Sequence, residues 1–256
     1  MTKFVPYLRE EAIERDAAAL LAEYAQTRGT AIALPIPIDD IVEKHLKLGV
    51  EFDDAHRRFG VSRSGPDPDI IGAMFFDEAR ILIDESLDPD EHPEREGRYR
   101  FTLAHEGGGH WRLHRHLFAR NPAQTALFAD SAPPPSVICR SSQSKERVEW
   151  QADFYASCLL MPRELVFAAW EERFPAQRCH VMDRSERSLI ALTAESTTRN
   201  HALDYEEWQT DLAMDAFARP FAETFLVSPH AMRIRLEMLG LLFREAPKQQ
   251  TLASHA

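Results

Sequence analysis

Residues 98–116 read RYRFTLAHEGGGHWRLHRH, and the spacing inside this run decides what the chain builds. Phe101, Leu103 and Ala104 give a helix an apolar face ahead of the histidines, and Trp111 and Leu113 continue it behind them. In the pattern H-E-x-x-H, a regular helix sets two histidines one turn apart on one face. Both imidazoles can then hold one Zn²⁺, and the glutamate between them serves as general base. Here the string is His105-Glu106-Gly107-Gly108-Gly109-His110, which puts the histidines one residue too far apart. At about 100° per residue, a four-residue step turns a side chain by roughly 40° and a five-residue step by roughly 140°. Three successive glycines also weaken an α-helix by about 1 kcal/mol each relative to alanine.

Two geometries recover a metal site. A π-bulge absorbs one extra residue in a helical turn, and glycine makes the distortion sterically inexpensive. It would bring His110 back under His105 and leave Glu106 free as a base, and it is the expected arrangement. In the other register Glu106, His110 and His114, spaced four apart, share a face and hold the metal with His105 excluded. If neither forms, the run is a folded but inactive relic.

A second informative run is ERVEWQADFYASCLLMP, residues 146–162. Glu149, Ala152, Asp153, Ala156 and Leu160 fit one side of a helix that Pro162 ends or hands on to a following one. Glu149 is the candidate third ligand; the competing reading is an acid placed at a helix N-terminus by the dipole. Asp153, a turn later, is a candidate for holding the second nitrogen of a ligand histidine, against the alternative of a local surface hydrogen bond. Tyr155, His114 and Arg147 are candidates for stabilising an oxyanion.

Around these runs the pattern is α+β. Residues 8–28 form an amphipathic helix with Ile13, Ala17, Leu20, Leu21 and Tyr24 on its apolar face and Gly29 as its stop. IVEKHLKL, residues 41–48, makes a short helix capped by Asp39 or Asp40 and ended by Gly49. Strands are expected at 50–52, 70–76 and 79–83, the last two as an antiparallel hairpin, with a short edge strand at 137–140. The long connection 119–145, with Pro133-Pro134-Pro135, suits a lid or a substrate-docking edge. Residues 221–226 and 231–242, with Ser228 as N-cap, make a helix–turn–helix-like pair. The expected division is a metal-binding domain over 1–175 and a C-terminal helical extension over 176–256, with a polar tail from about 248.

Composition excludes several classes. A net charge of −11 opposes direct DNA binding, and the basic clusters are short. No apolar run is long enough to cross a bilayer, and the N-terminus becomes charged too early for a signal peptide. Cys139, Cys158 and Cys179 have no framework spacing, which suits a reducing cytoplasm, and Cys158 falls in an apolar helical run.

Taken together, RFTLAHEGGGHWRLH, EWQADFYASCLLMP and FLVSPHAMRIRLEMLGLL resemble the ImmA/IrrE metallopeptidases, bacterial and phage proteins related to compact gluzincin-like zinc proteases. The resemblance covers roughly residues 10–242 and departs at the extra glycine. It implies a zincin-like helical core with a small antiparallel or mixed sheet. It also implies His105, His110 and Glu149 as zinc ligands, and Glu106 as the base. Its further implication is a role in stress or mobile-element responses, as a peptidase that cleaves or regulates a helix–turn–helix repressor. A catalytically inactive relative that grips such a repressor without hydrolysis is the alternative.

Overall fold

The computed structural model describes residues 5–62, 70–118, 137–140, 147–183, 186 and 205–245, with only the backbone of 137–140 and 205–207. It is an α+β chain. Contacts divide it into two compact units, residues 1–162 with 225–227, and residues 163–224 with 228–256. This division lies ahead of the expected one at 175/176.

The first unit carries both informative runs. Helix α1, Glu10–Arg28, buries the five residues expected on its apolar face and stops at Gly29, whose φ of 68° is left-handed. The expected short helix is instead a π-helical turn, Asp40–His45. Gly49 does not end it: the chain turns at Lys47, with φ 60°, and Gly49 already opens strand β1, Gly49–Asp53. A short helix α2, Ala55–Phe59, follows, capped by the Asp54 side chain.

Strands β2, Ile70–Phe75, and β3, Arg80–Asp84, form the expected antiparallel hairpin. β1 joins β3 in parallel, and β4, Val137–Arg140, joins β2 in antiparallel fashion. The sheet is therefore mixed, in the order β1-β3-β2-β4, with β4 at its edge. One face is held by Ala55, Ile70, Ala73, Phe75 and Leu82, all buried, with Phe59 and Val61 packed against them. Burial of this apolar area is the main force fixing the sheet.

A continuous helical rod then crosses the sheet. It starts as α3, Glu96–Leu103, becomes π-helical over Ala104–His114, and ends as α4, Arg115–Phe118. The glutamate-bearing helix α5, Arg147–Leu160, packs on the π-helical part. The rest of the connection between them, where a lid was expected, lies outside the described residues.

In the second unit, α6 runs over Arg163–Arg173 and α7 over Tyr205–Phe225, the last residue of which belongs to the first unit. Trp170, Phe174, Phe217 and Phe221 stack into its aromatic core. Helix α8, Pro229–Met238, is capped by Ser228, which accepts from the Ala231 amide. It ends four residues before the expected Leu242. Gly240, at φ 69°, turns the chain into strand β6, Leu242–Phe243, which pairs in parallel with β5, His180–Val181. Arg233 on α8 is buried and paired with Asp215 and Glu237, so this helix–turn–helix-like pair turns charge inward. The tail from 246 lies outside the described residues. Among the described residues no helix is long and apolar enough to cross a membrane.

Candidate metal centre

The fault in the motif is resolved by the π-helix. Its hydrogen bonds run from i to i+5, so the residue one turn above a given side chain is the fifth one on. His105 and His110 therefore fall on one face and meet edge to face, with their Nε2 atoms 3.0 Å apart. Glu149, on α5, closes the group: Oε2 lies 3.2 Å from His105 Nε2 and Oε1 lies 3.6 Å from His110 Nε2. The three potential ligand atoms fall within 4.8 Å of one another, and all three residues are buried. A buried His105, His110, Glu149 group could hold a metal ion. The other register is not assembled: among the described residues Glu106, His110 and His114 do not form a potential ligand group, and His110 turns Nε2 to His105.

The glycines explain how α5 comes so close. A Cβ on Gly109 would sit 2.6 Å from the Ala152 Cα and 2.9 Å from its carbonyl oxygen. On Gly108 it would meet the Tyr155 ring at 2.9 Å, and on Gly107 the Val42 methyl at 2.7 Å. The run is a socket into which three neighbours fit, and helices approach this closely only where side chains are missing.

Hydrogen bonds set the ring tautomers. Asp153 Oδ1 can only accept, so His105 donates its Nδ1–H across 2.9 Å and keeps a lone pair on Nε2. On the other side the Pro6 carbonyl can only accept, which fixes the Gln151 amide with Nε2 towards it, at 2.9 Å. Gln151 Oε1 then accepts from His114 Nε2–H at 2.9 Å, and His114 Nδ1 accepts from His110 Nδ1–H at 3.1 Å. His110 Nε2 is left with its lone pair facing the group. Burial lowers the His110 pKa, and burial together with His110 lowers that of His114 to about 4, so both rings are neutral near pH 7.

Two imidazole lone pairs and a carboxylate thus converge in a buried space. Such an arrangement repels itself unless a proton or a cation lies between the donors, so the residues fit a metal by their own chemistry. Burial opposes ionisation of Glu149, but a proton carried on Nε2 of His105 or His110, which then lies between the donors in place of a cation, outweighs it and brings its pKa to about 2.

Glu106 is fully buried, and neither carboxylate oxygen has a hydrogen-bond partner among the described residues. Burial pushes its pKa up to about 8, against a smaller opposing pull from His105. The carboxylate rests on the sheet at Gly72, where a Cβ would lie 2.8 Å from Oε1. A buried, unsatisfied carboxyl group next to convergent donors marks a site of chemistry more often than of stability.

The remaining candidates divide. Asp153 touches His105 and His114 touches His110, each supporting one ring. Tyr155 donates its hydroxyl to Asp16 Oδ1, which Arg112 also grips, so that hydroxyl is committed to joining α5 to α1. Arg147 donates to the Val5 carbonyl. Sequence reasoning missed Gln151 and Gly72. A glycine inside an otherwise apolar strand was the available signal for Gly72, since it marks close approach. Nothing in the sequence singled out Gln151. Compared with known proteins, the chain matches no family model and no curated sequence.

Proposed function

We propose that this chain is a zinc-dependent endopeptidase, with His105, His110 and Glu149 as the metal ligands and Glu106 as the general base. The observation that carries the proposal is the convergence of three buried donors beside a buried carboxyl group that has no hydrogen-bond partner among the described residues. Zinc is the favoured ion because neutral imidazoles and a carboxylate suit it, and a three-residue set leaves room for further ligands. When bound, it supplies Lewis-acid polarisation of a carbonyl and makes water a nucleophile near neutral pH.

The chain's own residues do the rest. Asp153 and the His114–Gln151 pair hold the two rings with Nε2 inward. Glu106, ionised once a cation stands nearby, takes a proton from the attacking water and returns it to the leaving amine. Its burial at Gly72 keeps bulk water from competing for it. The resemblance to ImmA/IrrE proteins suggests the substrate class, a helix–turn–helix transcriptional repressor in a stress or mobile-element response, and a cytoplasmic site of action.

The test is zinc content and cleavage of a repressor encoded next to the gene. About one zinc per chain, with cleavage abolished by Glu106→Gln while zinc is kept, is the expected result. Absence of zinc after reconstitution, or cleavage that survives Glu106→Gln, would overturn the assignment. Zinc bound without cleavage of any such repressor would favour a protein-binding module.

A further inference from the structure

We infer that Gln151 is a positioning residue of the metal centre, acting through His114 to aim the His110 Nε2 lone pair at His105 and Glu149. This rests on the metal-centre reading above. A neutral histidine has two tautomers, and only the one protonated on Nδ1 presents Nε2 to an ion. For His105 a carboxylate, Asp153, dictates the tautomer directly. For His110 no carboxylate meets Nδ1; its partner there is another histidine, itself ambiguous. The ambiguity is removed one step further out, by Gln151.

Gln151 is fully buried, and both ends of its amide are engaged. The Pro6 carbonyl orients the amide, so Oε1 faces His114 and forces a proton onto His114 Nε2. His114 Nδ1 must then accept, and His110 must donate from Nδ1. Reversing any one link reverses those inside it and would put a hydrogen on His110 Nε2, where His105 and Glu149 wait. The outermost anchor is backbone from the N-terminal segment, and Arg147 on the same helix also donates to it, at the Val5 carbonyl. Seating of residues 5 and 6 is thereby coupled to the ligand geometry. Among the described residues Gln151 makes no hydrogen bond to His105, His110 or Glu149, so its effect should pass through His114.

The experiment measures zinc affinity of the full chain by competition with a chromophoric chelator, with thermal melting of the metal-free protein alongside. Gln151→Leu should weaken zinc binding ten- to a hundredfold, the range found when outer partners of metal ligands are removed. Gln151→Glu, which keeps an acceptor for His114, should recover most of the affinity. In a His114→Leu background, Gln151→Leu should cause no further loss. If Gln151→Leu does not fold, Gln151→Asn, which withdraws the amide from His114, is measured in its place. Unchanged affinity with only a lowered melting temperature would overturn the inference and leave the metal centre intact. Losses that multiply in the double variant would overturn the route through His114. A parent protein that binds no zinc would overturn both readings together.

Discussion

The rod from Glu96 to Phe118 has two halves that hold their neighbours by opposite means. In the α-helical half, side chains reach outward: Tyr99 donates to Asp39 and Arg100 to the Ile36 and Leu226 carbonyls. In the π-helical half, the central positions have no side chains, and the neighbours reach in to Gly107, Gly108 and Gly109. Position is fixed by groups present in the first half and by groups absent in the second. The second half also carries the donors, so the space that admits α5 is the space that delivers Glu149 to His105 and His110. The extra residue in the motif is thus accommodated by the socket that assembles the site.

The most severe way to break this contrast is Gly109→Ala. The new methyl would meet backbone of Ala152, which cannot rotate away, so α5 must retreat and take Glu149 with it. Overpacking against backbone belongs to the exceptional class of substitutions, on the order of 4 kcal/mol or more. Chemical denaturation should show that loss, and zinc binding should vanish in whatever still folds. Retention of both would mean that the two helices are not in contact through this glycine.

Removing donors instead of space should spare the fold more. His110→Ala and Glu149→Ala are each expected to lower zinc affinity at least about a thousandfold, since two donors cannot define a tetrahedral site. Equilibrium dialysis against zinc checks it. Zinc binding retained by His110→Ala would mean that the π-helical approach of the two histidines is not what makes the site.

Glu106, next to the socket, is itself shut away from water, and that isolation is measurable in the metal-free protein. Its folded pKa is raised, by burial, from 4.5 to about 8. Below pH 4.5 the group is protonated folded and unfolded, and its contribution to stability is complete. Between about 4.5 and 8 the unfolded chain ionises while the folded chain keeps its proton, so stability falls as pH rises, and the decline levels off above 8. The expected decline is on the order of 3 kcal/mol, discounted from the full shift at 1.36 kcal/mol per unit for local hydration. Denaturation curves at pH 5, 7 and 9 should show it in the parent and a flatter profile in Glu106→Gln. Parallel profiles would place the carboxyl group in water.

How much of this was legible in the sequence follows from the range of the forces. Local features were plain: the apolar stripe of α1 is a period in the sequence, and the Ser228 cap is one residue acting on its neighbours. The three-residue group that could hold a metal was also legible, because His105 and His110 lie in one run and Glu149 opens a helix of matching character. The glycines were read as helix weakness and as room for a π-bulge, and the bulge is there; their role as a socket was not legible, because propensity describes an isolated helix, whereas Ala152 and Tyr155 approach from a helix far along the chain. Asp153 was found by its spacing from Glu149. Gln151 was not, because its role depends on Pro6, a contact spanning 145 residues. The strand at 242–243 was lost inside a helix pattern because its partner, 180–181, supplies no periodic signal at two residues.

The contrast is sharpened most gently at Gly97, a glycine in the α-helical half of the same rod. It is half-buried, and its φ is not among the positive ones, so alanine can adopt its conformation without strain. In ordinary helix the penalty of glycine is conformational entropy, and Gly97→Ala should stabilise the protein by about 0.5–1 kcal/mol. The same substitution made 12 residues later, at Gly109, is expected to be the most damaging of all. Opposite signs, read as shifts in the denaturation midpoint with unchanged slope, would show that the two halves use glycine for different reasons. If Gly97→Ala also destabilised the chain by several kcal/mol, close approach would extend along the whole rod, and the π-helical segment would lose its claim to be the special part of it.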